Sequence, residues 1–79
     1  MYYTYVLRSL KDKKLYTGFT NNLKRRLKQH HNGLCESTKN RVPFEMIYFE
    51  KFEDRSDAAN REKFFKSGKG REFLKRVIK

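Results

Sequence analysis

Seventy-nine residues leave room for one domain, spanning 1–79, and a chain this short buries only about 60% of the surface its unfolded form exposes. Twenty Lys and Arg against nine Asp and Glu leave a net charge of +11, a field that favours polyanions, nucleic acid first and an anionic membrane surface second. No apolar run approaches the ~20 residues of a membrane-spanning helix. The single cysteine, Cys35, excludes an intramolecular disulfide and fits a cytoplasmic setting.

Met1–Leu7 lacks the basic and small-residue signals of a secretory leader. Its β-branched and aromatic residues predict a first strand over Tyr2–Leu7 instead. Lys11–Lys14 is a polar connection, and Leu15–Gly18 is a second strand, antiparallel to the first. Gly18 is expected to end it, where the backbone turns or something approaches closely. Thr20 or Asn21 can cap a helix that carries Leu23, Leu27 and Leu34 on one stripe, with Gly33 at its stop. A loop is expected from Leu34 to Pro43. Phe44–Phe52 reads as a third strand with Met46, Tyr48 and Phe52 on one side. Asp54 or Ser56 can cap a second helix bearing Ala58, Ala59, Phe64 and Phe65. Ser67-Gly68-Lys69-Gly70 breaks it, and Phe73, Leu74, Val77 and Ile78 mark a third. The order β-β-α-β-α-α predicts a small α+β domain, a three-stranded antiparallel sheet flanked by three helices.

Lys24, Arg25, Arg26 and Lys28 crowd the start of the first helix, where the peptide dipole already favours an anion. Lys24, Arg25 and Lys28 are read as nucleic-acid-binding or as a solvated basic face. Arg26 and His30 are i and i+4 neighbours at the edge of the leucine stripe, so they are expected to face a crevice between helix and sheet. An arginine stem lying along the core edge and a packing histidine are the plainer alternatives. Glu62 falls in the apolar stripe of the second helix and needs a cation, either a metal ion or a base such as Arg26. One carboxylate with waters and phosphate oxygens is how magnesium is usually held. Cys35 with His30 and His31 is too few ligands for structural zinc. Tyr3, Tyr5 and Tyr16 fall on paired strands, where packing alone could place them.

These residues form a pattern. Tyr3-Thr4-Tyr5, then Tyr16-Thr17-Gly18, then Asn22-Leu23-x-x-Arg26-Leu27-x-x-His30, and finally Ala58-x-x-Arg61-Glu62-x-x-x-Lys66 resemble the GIY-YIG endonuclease domain over nearly the whole chain. The similarity is greatest to small stand-alone members related to the nuclease domain of the excision-repair subunit UvrC. The resemblance implies that Tyr5 and Tyr16 are the two motif tyrosines and Gly18 the glycine of the second motif. It implies that Arg26 contacts the scissile phosphate, that His30 is a histidine some members carry, and that Glu62 is the single metal ligand. It also implies one Mg²⁺ or Mn²⁺ ion, a nucleic-acid substrate (DNA rather than RNA), repair or processing as the setting, and a monomer or weak dimer. The first motif lacks its glycine and isoleucine, Thr17 replaces the second isoleucine, and Phe19 stands where some members have lysine. A tyrosine is a poor base near neutral pH, and Arg26, a metal and the net charge are expected to lower its pKa. The competing readings are a non-catalytic nucleic-acid-binding module and, less well supported, a protein adaptor.

Overall fold

The computed structural model describes residues 1–35 and 38–78. Positions 36 and 37 of the expected loop lie outside the described residues. The elements run β1 (Tyr2–Ser9), β2 (Leu15–Thr20), α1 (Leu23–His31), a short 3₁₀ turn (Lys39–Arg41), β3 (Phe44–Phe52), α2 (Arg55–Lys66) and α3 (Gly68–Val77). The sheet is antiparallel in the order β2-β1-β3, so the first strand is central. Thr4, Tyr5, Val6 and Leu7 are all buried, because both faces of β1 are covered.

The alternation along β1 sorts the core into two layers. Tyr5 and Leu7 pack with Phe44, and Tyr16, Leu23 and Leu27 close over them from β2 and α1. Val6 packs on the other face with Phe65 of α2 and Leu74 of α3, flanked by Tyr48, Phe64 and Phe73. Burying a side chain such as Phe65 or Leu74 contributes roughly 1.5–3 kcal/mol. Thr4 Oγ1 donates to Ala58 O at 2.7 Å and ties β1 to α2 through a buried bond.

A bulge changes the third strand from the simple alternation expected. Val6 lies opposite Tyr48 while Leu7 lies opposite Met46, so Ile47 is the extra residue. Met46 therefore shares the Leu7 face and is 36% exposed, whereas Tyr48 turns to the Phe65 face. The expectation that Met46 and Tyr48 share a side is thus corrected: a single inserted residue reverses the phase.

The helix ends also differ in detail. Asn22, rather than Thr20 or Asn21, caps α1, its side chain accepting from Arg25 N at 3.0 Å. Thr20 Oγ1 accepts from Asn22 N and hands the strand to the helix. At the other end Gly33 takes φ +71°, with Gly33 N donating to His30 O and Leu34 N to Gln29 O. That pair of bonds closes a Schellman motif. The chain leaves the helical path there, so Leu34, expected on the core stripe, is 71% exposed. Asp54 occupies the cap position of α2. The break after α2 is narrower than the Ser67–Gly70 run suggested. Ser67 alone separates the helices, and its hydroxyl accepts from Gly70 N to start α3.

Candidate active site

Gly18 does not end β2. It sits inside the strand opposite Tyr5, and the close approach is what matters. A Cβ at position 18 would lie 2.6 Å from the Tyr5 hydroxyl oxygen and 2.8 Å from Cζ. The missing side chain is the space into which the Tyr5 ring fits.

Tyr5 and His30 are both buried, and the Tyr5 hydroxyl lies 2.9 Å from His30 Nε2. On the other side of the imidazole, Nδ1 lies 2.8 Å from Thr38 Oγ1. Thr38 Oγ1 in turn donates to Cys35 O at 3.5 Å. With that proton so directed, Thr38 accepts from Nδ1–H, which leaves Nε2 as the acceptor for Tyr5 O–H. The histidine is thus a satisfied core residue that also orients a tyrosine. Tyr16 packs its ring edgewise on His30, centroids 5.2 Å apart. The Arg26 guanidinium lies beside the Tyr5 hydroxyl, and its Nη1 donates to Gln29 Oε1 at 3.2 Å. Tyr5, Tyr16, Arg26 and His30 therefore form one cluster at the junction of β1, β2 and α1.

Electrostatics here runs opposite to one expectation. Burial pushes the Tyr5 phenol up to about 12, despite the opposing influence of Arg26. Burial, helped by the Arg26 and His31 charges, holds His30 down at about 4. Desolvation outweighs the neighbouring cation because the ring is almost wholly removed from water. Both groups are neutral near pH 7, joined by a hydrogen bond in which the proton stays on the phenol.

That depressed histidine predicts an acid-side loss of stability. An unfolded His30 would bind its proton near pH 6.5, whereas the folded one resists protonation down to about 4. Stability is then full above pH 6.5 and falls as the pH drops from 6.5 towards 4, by about 3 kcal/mol in all. Denaturant melts across that window should show His30→Gln losing clearly less than wild type, since Gln carries no such proton. Equal losses in the two proteins would show that other groups cause the decline.

Glu62 lies on α2, which packs against β2 and β1. Its side chain is 21% exposed, and its ion partner among the described residues is Lys66, one turn on, at 3.7 Å. Arg26, weighed as its partner from the sequence, is not in that role. Lys66 and Tyr16 line a common cavity of about 840 Å³ between β2 and α3. Lys24, Arg25 and Lys28 are exposed on α1, as a nucleic-acid-facing or solvated face requires.

The donor set can be tested against a divalent ion. Among the described residues no three His, Cys, Asp or Glu side chains gather as a cage. His30 has both nitrogens engaged, so it is not available as a ligand. Glu62 offers one hard oxygen pair with a long, mostly solvated partner that can swing away. This fits a hydrated hard cation completed by water and phosphate oxygens, and does not fit zinc.

Glu50 and Thr38 escaped the sequence reading, and Arg61 entered it only as part of the last motif. Arg61 makes two bonds to Glu50, at 2.7 and 3.2 Å, while its guanidinium lies over Phe64, Phe65 and Phe73. Glu50 was detectable as a charge in an apolar phase of β3, the same signal that singled out Glu62. Thr38 carried no pattern, because its role depends on a loop folding back onto His30.

Comparisons with known proteins bear on the family and the fold. The model of the GIY-YIG catalytic domain matches residues 1–75. A UPF0213 protein of Clostridium perfringens is 46% identical over 67 residues, covering 84% of this chain and 71% of that protein. A UPF0213 protein of Pediococcus acidilactici is 42% identical over 77 residues, covering 94% and 78%. The solution NMR structure of a UPF0213 protein from Bacillus halodurans is 32% identical and superposes with a TM-score of 0.58, covering 98% of this chain and 85% of that one. A three-stranded antiparallel sheet with three helices, the two-tyrosine cluster and these matches together place this chain in the GIY-YIG family, among its small UPF0213 members.

Proposed function

We propose that the chain is a metal-assisted endonuclease that hydrolyses phosphodiester bonds in nucleic acid, DNA in preference to RNA, in cytoplasmic DNA repair or processing. Residues 1–79 act as one nuclease unit, as a monomer or weak dimer. The observation that carries this reading is the Thr38–His30–Tyr5 hydrogen-bond line ending beside Arg26. Arg26 supplies a planar fork for the phosphate that is cut. Tyr5, its hydroxyl held by His30 Nε2 and set beside Arg26, is the residue that would orient the attacking water. Tyr16 closes the other side of the imidazole and also lines the cavity shared with Lys66. Glu62 is the residue that would hold Mg²⁺ or Mn²⁺, and the ion would add charge stabilisation at the phosphate. Lys24, Arg25 and Lys28 draw the strand in.

One observation favours the alternative, a binding module with little turnover. Tyr5 at about 12 is a reluctant base unless a bound cation lowers it. A panel of labelled single-stranded, duplex, flap and branched DNA and RNA, incubated with Mg²⁺, Mn²⁺ or chelator, separates the two. Metal-dependent cleavage of any member supports the nuclease, and binding without cleavage across the panel supports the module. Both readings share a salt prediction. Nonspecific affinity should fall steeply between 50 and 200 mM salt, each phosphate contact adding roughly 0.7–0.9 to the log–log slope. A flat dependence would contradict both.

A further inference from the structure

At the end of the sheet where β2 runs into α1 and β3 runs into α2, a cleft of about 380 Å³ is lined by Phe19, Asn21, Arg25, Arg26, Gln29 and Arg55, among others. Three guanidinium groups face one small space, and none of them has a carboxylate partner among the described residues. Their supports are neutral. Arg25 Nη2 donates to Asn21 Oδ1 at 3.3 Å, Arg26 Nη1 donates to Gln29 Oε1 at 3.2 Å, and the Arg55 guanidinium lies 5.3 Å from the centre of the Phe19 ring. Arg8, Arg41 and Arg61 differ in that each holds an acid, while Arg71 and Arg76 on α3 share the lack of one among the described residues. Neutral partners fix where a guanidinium points without cancelling its charge. Three like charges left together repel one another, and an anion among them removes that repulsion.

We propose that Arg55, held on the face of Phe19, forms with Arg25 a second phosphate subsite beside Arg26, gripping the backbone phosphate next to the one that is cut. The proposal deepens the nucleic-acid reading and rests on it. Planar guanidinium forks suit the two free oxygens of a phosphodiester better than a single carboxylate, and the neighbouring Arg26 belongs to the cluster around Tyr5. Phe19 then has a function of its own. It is a half-buried ring on β2 that orients a cation by its π face rather than by a hydrogen bond. Arg55 is a positioning residue, since it fixes the register of the strand and leaves the reacting atoms to Arg26 and Tyr5.

The test is metal-free binding of a fluorescent duplex DNA oligonucleotide, titrated at several salt concentrations. Wild type, Arg55→Gln, Phe19→Leu and Lys69→Gln are compared, the last being an exposed cation on α3 away from the cleft. Arg55→Gln should bind roughly tenfold more weakly at low salt and lower the log–log slope by about 0.7–0.9, the value of one phosphate contact. Phe19→Leu keeps every charge, so it should keep most of the slope and lose affinity by roughly threefold, as loss of a cation–π support predicts. Lys69→Gln should change affinity much less, and all four proteins should melt within a few degrees of each other. If Arg55→Gln matches Lys69→Gln in affinity and slope while wild type binds with a steep salt dependence, the subsite is wrong and the nucleic-acid reading survives. If wild type itself shows no salt-dependent binding, that reading fails and takes the subsite with it.

Discussion

Glu62→Gln is expected to abolish metal-dependent cleavage, by a factor on the order of 10³ or more, while leaving the protein folded and able to bind nucleic acid. The argument starts from what the carboxylate touches. Its ion partner is Lys66 at 3.7 Å, on the same helix, with the lysine side chain 57% exposed. An i,i+4 pair so solvated is worth only about 0.3–0.5 kcal/mol. Glutamine keeps the shape and volume, so the melting point without metal should barely move. Loss of one acid raises the net charge by one, and nonspecific binding should be slightly stronger than wild type. Chelator added to wild type should reproduce the mutant's inactivity, and added Mg²⁺ should shift the wild-type melt but not the mutant's. The contrary outcome is a mutant destabilised by about 1–3 kcal/mol with unchanged specific activity, the result expected of a buried charge pair broken on one side. That would remove Glu62 from the metal and leave the binding module as the better reading.

The element order was legible because hydrophobic phase and turn residues change together at each boundary. Tyr2–Leu7 is β-branched and aromatic, the leucines of α1 recur at helical spacing, and Gly33 and Ser67 stand at the ends of α1 and α2. What failed were features set by contacts distant in sequence. The bulge at Ile47 depends on how β3 seats against β1, and no residue type there announces it. Leu34 satisfied the helical period, yet Gly33 at φ +71° had already turned the chain away, so a local backbone preference overrode a side-chain pattern. In the candidate site the grouping of Tyr5, Tyr16, Arg26 and His30 was legible, and its electrostatics was not. Spacing put Arg26 beside His30, but whether a cation or desolvation rules Tyr5 depends on how completely the ring is covered. Arg55 escaped notice because its partner is an aromatic ring thirty-six positions earlier on another element.

Gly18→Ala should be the most damaging single methyl group in this protein's site. The added Cβ would fall 2.6 Å from the Tyr5 hydroxyl oxygen and 2.8 Å from Cζ, inside any tolerable contact. The ring has no free direction in which to retreat: it is 1% exposed, with Leu7 and Phe44 in its core cluster and His30 bonded to its hydroxyl. Overpacking and loss of the Tyr5–His30 bond together should cost on the order of 2–4 kcal/mol. For a domain of this size that corresponds to a fall in Tm of roughly 10–30 °C. Gly33→Ala is the useful contrast, since a Cβ there meets nothing and the penalty is only that of a positive φ, about 1 kcal/mol. Tyr5→Phe in the Gly18→Ala background removes the nearest clashing atom but not Cζ. It should recover part of the stability while restoring no cleavage, because the hydroxyl that orients water is gone. A double-mutant cycle on positions 5 and 18 should then show coupling well above the ~0.5 kcal/mol scatter of independent sites. Additive effects, or a Gly18→Ala protein that melts beside wild type, would mean that the glycine is not there to admit the tyrosine, and the account of how β2 builds this site would have to be replaced.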